Sequence, residues 1–364
     1  MSETPTLPLF ERIPELRDRT GHISLALLPT PLECHRGDEL GLRCRHLMIK
    51  RDDLSGAPYG GNKVRKLEFL LGDARKSGAA GVLTFGVAGS NHALATSVYA
   101  RASGLRSHSL LTRQSNAAYV RRNLLAGLHS GAHLHACDSE ESARRLAAGI
   151  VESAAHDGEM LTAIPGGGSS PLGCLGFVNA GLELAEQIRT GSMPVPDTIY
   201  IALGTVGTAA GLMVGLRLAG LDTRIVAVRV VRKDIATQSR FRRLAAGVSE
   251  FIGGPAGAGV ELPEIRHEFL GAGYARFTPA GVAAMESARQ LAGLKLEGTY
   301  TGKSFAAMLS DMTRGRLENH NVLFWKTYNS RPLASEAMAL DYHRLPEPFH
   351  YYFESPLQEL DPEA

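Results

Sequence analysis

Between about residues 45 and 230, short apolar runs alternate with stretches whose apolar positions recur every three to four residues. Leu47-Met48-Ile49, 81–85, 107–111, 133–137, 199–203 and 225–231 are brief, apolar and bounded by glycine or polar residues, which predicts buried strands. Helices are predicted between them. One opens with Asn62 as N-cap, carries Val64, Leu67, Leu71 and Ala74 on one face, and stops near Gly78. A second follows Asn91, and a third fills 139–156. Further along, Thr278 is placed to cap a helix whose first residue is Pro279, and 322–325 reads as another strand. Repeated βα units predict an α/β fold of two open, twisted parallel sheets with helices on both faces. At 364 residues the chain exceeds what one core usually organises. The expected division is a discontinuous larger domain, 1–60 plus 167–364, and a smaller α/β domain, 61–166.

The uncharged stretch from Ile199 to Leu216, with Gly207, Gly211 and Gly215 four apart, invites reading as a membrane helix. Gly204, Thr205, Gly207 and Thr208 interrupt it and Ile199-Tyr200-Ile201 is strand-prone, so strand, glycine turn and small-residue helix fit better, the glycines letting the helix press on a sheet.

Composition removes several functions. Hydrophobic content is 44% and charged content 21%, as in ordinary globular chains. A formal net charge of +2 with interspersed signs gives no electrostatic case for nucleic acid or an anionic membrane. Aromatics at 6% disfavour a β-sandwich or a base-stacking surface, and 40 glycines point to tight turns and close backbone approaches. Four scattered cysteines lack C-x-x-C spacing, which excludes zinc ribbons and thioredoxin-like chemistry. The polar, acidic start lacks a signal-peptide pattern, so a cytoplasmic protein with reduced thiols is expected.

Four glycine-marked motifs fall where strands should give way to helices, the place where open α/β sheets put ligands. Gly60-Gly61-Asn62-Lys63-Val64-Arg65-Lys66 sets Lys63 at a helix start, where the dipole favours a neutral amine; a lysine there is more often plain solvated surface. Gly86-Val87-Ala88-Gly89-Ser90-Asn91-His92 follows a strand, and Pro165-Gly166-Gly167-Gly168-Ser169-Ser170 is the third motif. Gly204-Thr205-Val206-Gly207-Thr208 can cradle one phosphate with backbone N–H groups, though such turns also arise from packing alone. It matches neither G-x-G-x-x-G nor a P-loop.

Together these motifs resemble the fold-type II pyridoxal-phosphate enzymes (tryptophan synthase beta-like), and among them the 1-aminocyclopropane-1-carboxylate deaminase and D-cysteine desulfhydrase family. Pro29-Thr30-Pro31-Leu32, Lys50-Arg51-Asp52-Asp53, the Gly60–Glu68 run, Ser90-Asn91-His92, Ile164-Pro165, Leu175-Gly176-Phe177 and Tyr300-Thr301-Gly302-Lys303 carry the resemblance, over roughly 25–330. It implies pyridoxal 5'-phosphate held between the domains, a small amino-acid substrate and a homodimer. It assigns Lys63 to the cofactor aldehyde and to the substrate α-proton, with Lys66 a surface or structural lysine. Asn91 would bond the cofactor's 3′-oxygen; Thr205, Val206, Gly207 and Thr208 its phosphate; Thr301 or Thr327 its ring nitrogen. Ser90, Asn91, His92 and Gly168 would bind substrate, with Ser90, Tyr274 and Tyr300 also catalytic. Either tyrosine alone reads equally as a half-buried core aromatic.

The resemblance also separates activities. The cyclopropane deaminases carry a glutamate where this chain has Thr301, so ring opening is disfavoured and α,β-elimination from a β-substituted amino acid, to a 2-oxo acid and ammonia, is expected. β-Replacement by a second nucleophile, cyclopropane deamination, and a cofactor-binding homologue without turnover are the alternatives. Gly89, Leu94 and Ala95 stand where relatives usually have Gln, Arg and Gln. Glu297-Gly298-Thr299 and Lys326-Thr327-Tyr328-Asn329 also depart from the family pattern. These departures predict altered substrate walls and a substrate larger or less polar than cysteine.

Overall fold

A computed structural model describes residues 6–191, 193–254 and 262–364. The short helices α1 (Pro8–Arg12) and α2 (Glu15–Arg19) lead into a sheet built from β1 (Leu32–Arg36), β2 (His46–Lys50), β7 (Thr198–Leu203), β8 (Arg224–Arg229), β9 (Glu264–Arg266) and β10 (Asn321–Trp325). Their spatial order is β1-β2-β10-β7-β8-β9. The smaller sheet holds β3 (Gly81–Val87), β4 (Arg106–Thr112), β5 (His133–Cys137) and β6 (Leu161–Ile164) in the order β5-β4-β3-β6. All pairings are parallel except that of β1 with β2. The two expected parallel sheets are present, with one antiparallel edge where the polar strand Leu32-Glu33-Cys34-His35-Arg36 returns on β2. Polarity hid β1 from the hydrophobic pattern, and brevity hid β6 and β9.

The helices are α3 (Lys63–Lys76), α4 (Asn91–Ala102), α5 (Ala118–His129), α6 (Glu140–His156), α7 (Pro171–Gly191), α8 (Gly207–Leu218), α9 (Gln238–Phe251), α10 (Pro279–Ala292) and α11 (Thr301–Thr313). Thr278 caps α10 through Gly281 N, with Pro279 first, as the sequence predicts. α4 is capped by Ser90, which accepts from Ala93 N, so Asn91 is its first helical residue. The spaced glycines of α8 press on α7 rather than on a sheet. A Cβ at Gly211 would stand 2.4 Å from Cys174 O, and one at Gly215 would stand 2.3 Å from Val178 O. No helix among the described residues is long and apolar enough to cross a membrane.

The C-terminal ends of β3, β4, β7, β8 and β10 open on one cavity of about 640 Å³. The start of α3 reaches the same cavity, while its body packs against α7, α4, β3 and β6.

Candidate active site

The glycine turn before α3 is tied down from several sides. Gly61 N donates to Asp52 O (2.8 Å) and Asn62 N to Thr327 O (3.1 Å), while Gly61 O accepts from Ser55 Oγ (2.8 Å). Gly60 N donates to Asn329 Oδ1 (2.7 Å). Gly61 has φ +97°, open to glycine and strained for other residues. Asn62 occupies the N-cap position but does not cap; its side-chain amide donates to Thr208 Oγ1 (3.0 Å), joining the Lys63 turn to the first turn of α8. Below the turn, fully buried Arg65 pairs with Asp52 and Glu183, and Lys50 pairs with Glu183, fixing the path of α3.

Lys63 therefore starts a helix whose course is set, with its side chain on the cavity wall. No hydrogen bond or ion pair to its amine is found among the described residues. Burial, helped by the charge of Lys66, holds the Lys63 amine well below the ordinary lysine range, which favours the neutral form that a base or nucleophile needs. The surface reading of Lys66 is corrected: it is fully buried, its Nζ donates to Gly167 O (3.0 Å), and burial lowers its pKa to about 8.

The loop between β7 and α8 forms the second wall. Gly204, Thr205, Val206, Thr208 and Ala209 line the cavity, and Val206 takes φ +75° at the N-cap of the helix. Thr208 and Ala209, whose N–H groups lack intrahelical partners, bring the positive end of the α8 dipole to this wall. Thr205 Oγ1 lies 2.7 Å from Ser169 Oγ. Gly207 itself is not on the wall. Its N–H donates to Ser169 Oγ (3.3 Å), and a Cβ there would stand 2.5 Å from that oxygen and 3.0 Å from Lys66 Nζ.

Ser90, Asn91 and His92 enter from the end of β3. Asn91 Oδ1 accepts from Tyr59 (3.3 Å) and Asn123 (3.0 Å), which leaves its amide nitrogen as the donor. Burial, then the charges of Lys63 and Lys66, keep the His92 imidazole neutral. Gly168 is not on the wall. It has φ +63° and packs by Leu70, His92 and Lys66.

Tyr274 and Tyr300 both line the cavity, and their hydroxyls meet at 2.5 Å. Burial raises Tyr274 to about 12 and Tyr300 well above the ordinary phenol value, so both stay protonated near neutrality. Glu297 also reaches the wall, yet its oxygens accept from the backbone N–H groups of Thr299, Tyr300 and Thr301 at 2.7–2.9 Å, capping α11. Thr301 is not on the wall. It is buried, and its hydroxyl accepts from Glu297 N (2.9 Å). Of the two threonines expected at the ring nitrogen, the structure brings only Thr327 to the cavity.

The predicted wall changes divide in the same way. Leu94 and Ala95 are core residues packed with α3, and the space beside Gly89 is filled by Tyr119 and Gln114. The cavity meets only the first turn of α4, and positions 94 and 95 lie a turn deeper. Lys326 pairs with Asp53 away from the cavity, whereas Tyr328 and Asn329 line it. Tyr59, directly before the Gly60-Gly61 turn, is a wall residue that motif reading missed.

A buried amine and the start of a helix line one cavity of this α/β fold, the two features that a phosphate-bearing carbonyl cofactor requires of its site. The pyridoxal-phosphate dependent enzyme family matches residues 23–327, and the chain belongs to it. It is 35% identical over 309 residues to the nocardicin C-9' epimerase of Nocardia uniformis subsp. tsuyamanensis, covering 84% of this chain and 92% of the relative. It is 31% identical over 306 residues to the D-cysteine desulfhydrase of Serratia proteamaculans (strain 568), covering 82% and 90%. A crystal structure of an ACC deaminase homologue superposes with a TM-score of 0.76 at 30% identity, covering 89% of this chain and 95% of that one.

Proposed function

We propose that this enzyme eliminates a β-substituent and ammonia from a β-substituted amino acid, D-amino acids included, leaving a 2-oxo acid, in the manner of D-cysteine desulfhydrase. One observation carries the reading: the unpaired Lys63 amine and the Tyr274–Tyr300 phenol pair line one cavity. Elimination needs a base for the α-proton and an acid for the leaving group; burial shifts the Lys63 amine toward its neutral form and keeps both phenols protonated.

The residues fit pyridoxal 5'-phosphate. Lys63 would hold its aldehyde, and the first turn of α8 with Thr205, Val206 and Thr208 would hold its phosphate, Lys66 adding charge from behind. Asn91 Nδ2 would meet its ring oxygen and the Thr327 hydroxyl its ring nitrogen. When bound, the cofactor supplies a sink for the electron pair left at the substrate α-carbon. Ser90 and the N-terminus of the 12-residue helix α4 bind the substrate carboxylate. Lys63 takes the α-proton. The α-carbon electron pair forms the new C=C bond as the bond to the β-substituent breaks, and Tyr300, backed by Tyr274, protonates the departing group. The enamine takes up water and loses ammonia to give the 2-oxo acid. Wild-type enzyme given D- or L-β-chloroalanine, or D-cysteine, should release ammonia and 2-oxo acid in equal amounts without an added nucleophile; release from none of them refutes the reading.

A second reading, epimerisation at the α-carbon, is favoured by the 35% identity to an epimerase. Here the proton taken on one side would be replaced from the other. Reaction in D₂O separates the two, because epimerisation returns inverted, deuterated substrate and no oxo acid. We further propose a cytoplasmic homodimer, which light scattering tests by mass.

A further inference from the structure

The family match stops at residue 327, yet the chain beyond it is fastened to the active site. After α12 (Ser335–Met338) and α13 (Tyr351–Glu354) the tail runs along α5. Asn116 Nδ2 donates to the carbonyls of Tyr352, Ser355 and Pro356 at 3.0, 3.0 and 3.1 Å, and Arg121 donates to those of Tyr352 and Ser355. Leu345, Phe349 and Tyr352 are buried in one apolar cluster with Tyr119 and Phe277. From this docked strap the Gln358 carboxamide reaches the segment that carries Tyr274. Its Oε1 accepts from Phe277 N (2.8 Å), and its Nε2 donates to Ala275 O (3.1 Å).

Ala275, next to Tyr274, is fully buried with φ +59°, a left-handed conformation that a residue with a Cβ keeps only when its surroundings hold it. On the other side, Lys303 Nζ donates to Leu270 O (2.8 Å) and Gly273 O (3.4 Å). The backbone around Tyr274 is thus gripped between Lys303 and Gln358.

We infer that Gln358 is a positioning residue: the tail strap holds residues 275–277 in their strained path and so sets the Tyr274 phenol against Tyr300. The inference rests on the reading above, in which Tyr274 serves the reaction. The test uses full-length holoenzyme carrying Gln358→Ala, with hydrogen exchange over 271–278, thermal unfolding, and kcat and KM on β-chloroalanine. Exchange in that segment should rise and kcat fall, each about tenfold, as expected when its two hydrogen bonds to Gln358 are lost, together with the one from Gln358 Nε2 to Asn116 O (3.3 Å), while KM moves little. Gln358→Glu keeps the acceptor for Phe277 N and should restore part of both; it also serves if Gln358→Ala does not fold. Unchanged exchange, or raised exchange with wild-type kcat, overturns the positioning role. If Tyr274→Phe keeps full turnover, the role proposed for Tyr274 falls; the exchange result reports on the strap independently.

Discussion

Replacing Arg65 by methionine tests the anchor under Lys63. Arg65 is fully buried and donates to both carboxylate oxygens of Asp52 (2.8–3.1 Å), to both of Glu183 (2.8 Å) and to Thr30 Oγ1 (2.9 Å). Methionine fills much of the volume but leaves two buried carboxylates with Lys50 as their remaining buried cation and Trp325 Nε1 still on Asp52. Removing one side of a buried ion pair costs about 3–5 kcal/mol. With an unfolding entropy of about 2.1 cal/mol/K per residue, the 364-residue chain should lose roughly 4–7 °C in Tm. The loss should depend on pH. Burial pushes the Glu183 carboxyl up, but Arg65 and Lys50 outweigh it and hold the group at about 2. In the wild type its contribution is therefore complete above the ordinary carboxylate range and lost as the pH falls toward 2. Without Arg65, burial dominates and the carboxyl titrates higher, so the variant's deficit should be largest at neutral pH and narrow toward about pH 5. Thermal and urea unfolding of the holoenzyme across that range measures it. A deficit below about 1 kcal/mol, or one that does not change with pH, would refute the anchoring argument.

Gly207→Val drives a side chain into Ser169 and Lys66; cofactor affinity should fall at least about tenfold in a folded protein, and equal affinity would move the phosphate site elsewhere. Because burial holds Lys66 at about 8 and a bound phosphate would raise it, apoenzyme affinity for the cofactor should be level below that pH and fall above it; a flat titration would remove Lys66 from phosphate binding. Tyr300→Phe should lower kcat about a hundredfold while the cofactor stays bound, and wild-type turnover would exclude it as the acid.

Seven of the ten described strands and the Lys63, Ser90 and Thr205 motifs were readable from the sequence, because buried strands are apolar runs and ligand loops follow their C-terminal ends. The direction of individual side chains was not. Thr301 and Thr327 are both short hydroxyls near the expected ring, but Thr301 starts a helix that Glu297 caps, which turns its hydroxyl to Glu297 N. Gly168 and Gly207 belong to the right loops yet face Lys66, whose burial no local pattern marks. The strap was out of reach altogether: its contacts to Asn116, Ala275 and Phe277 span about 80 to 240 residues of chain, with no motif at either end.

Everything proposed for this site depends on Lys63 being the lysine that holds the cofactor. Borohydride reduction of the holoenzyme followed by peptide mapping decides it. The account predicts a pyridoxyl group on Lys63 and on no other lysine. A label on Lys66, which donates to Gly167 O, or on Lys303, which holds the Tyr274 segment, would contradict it.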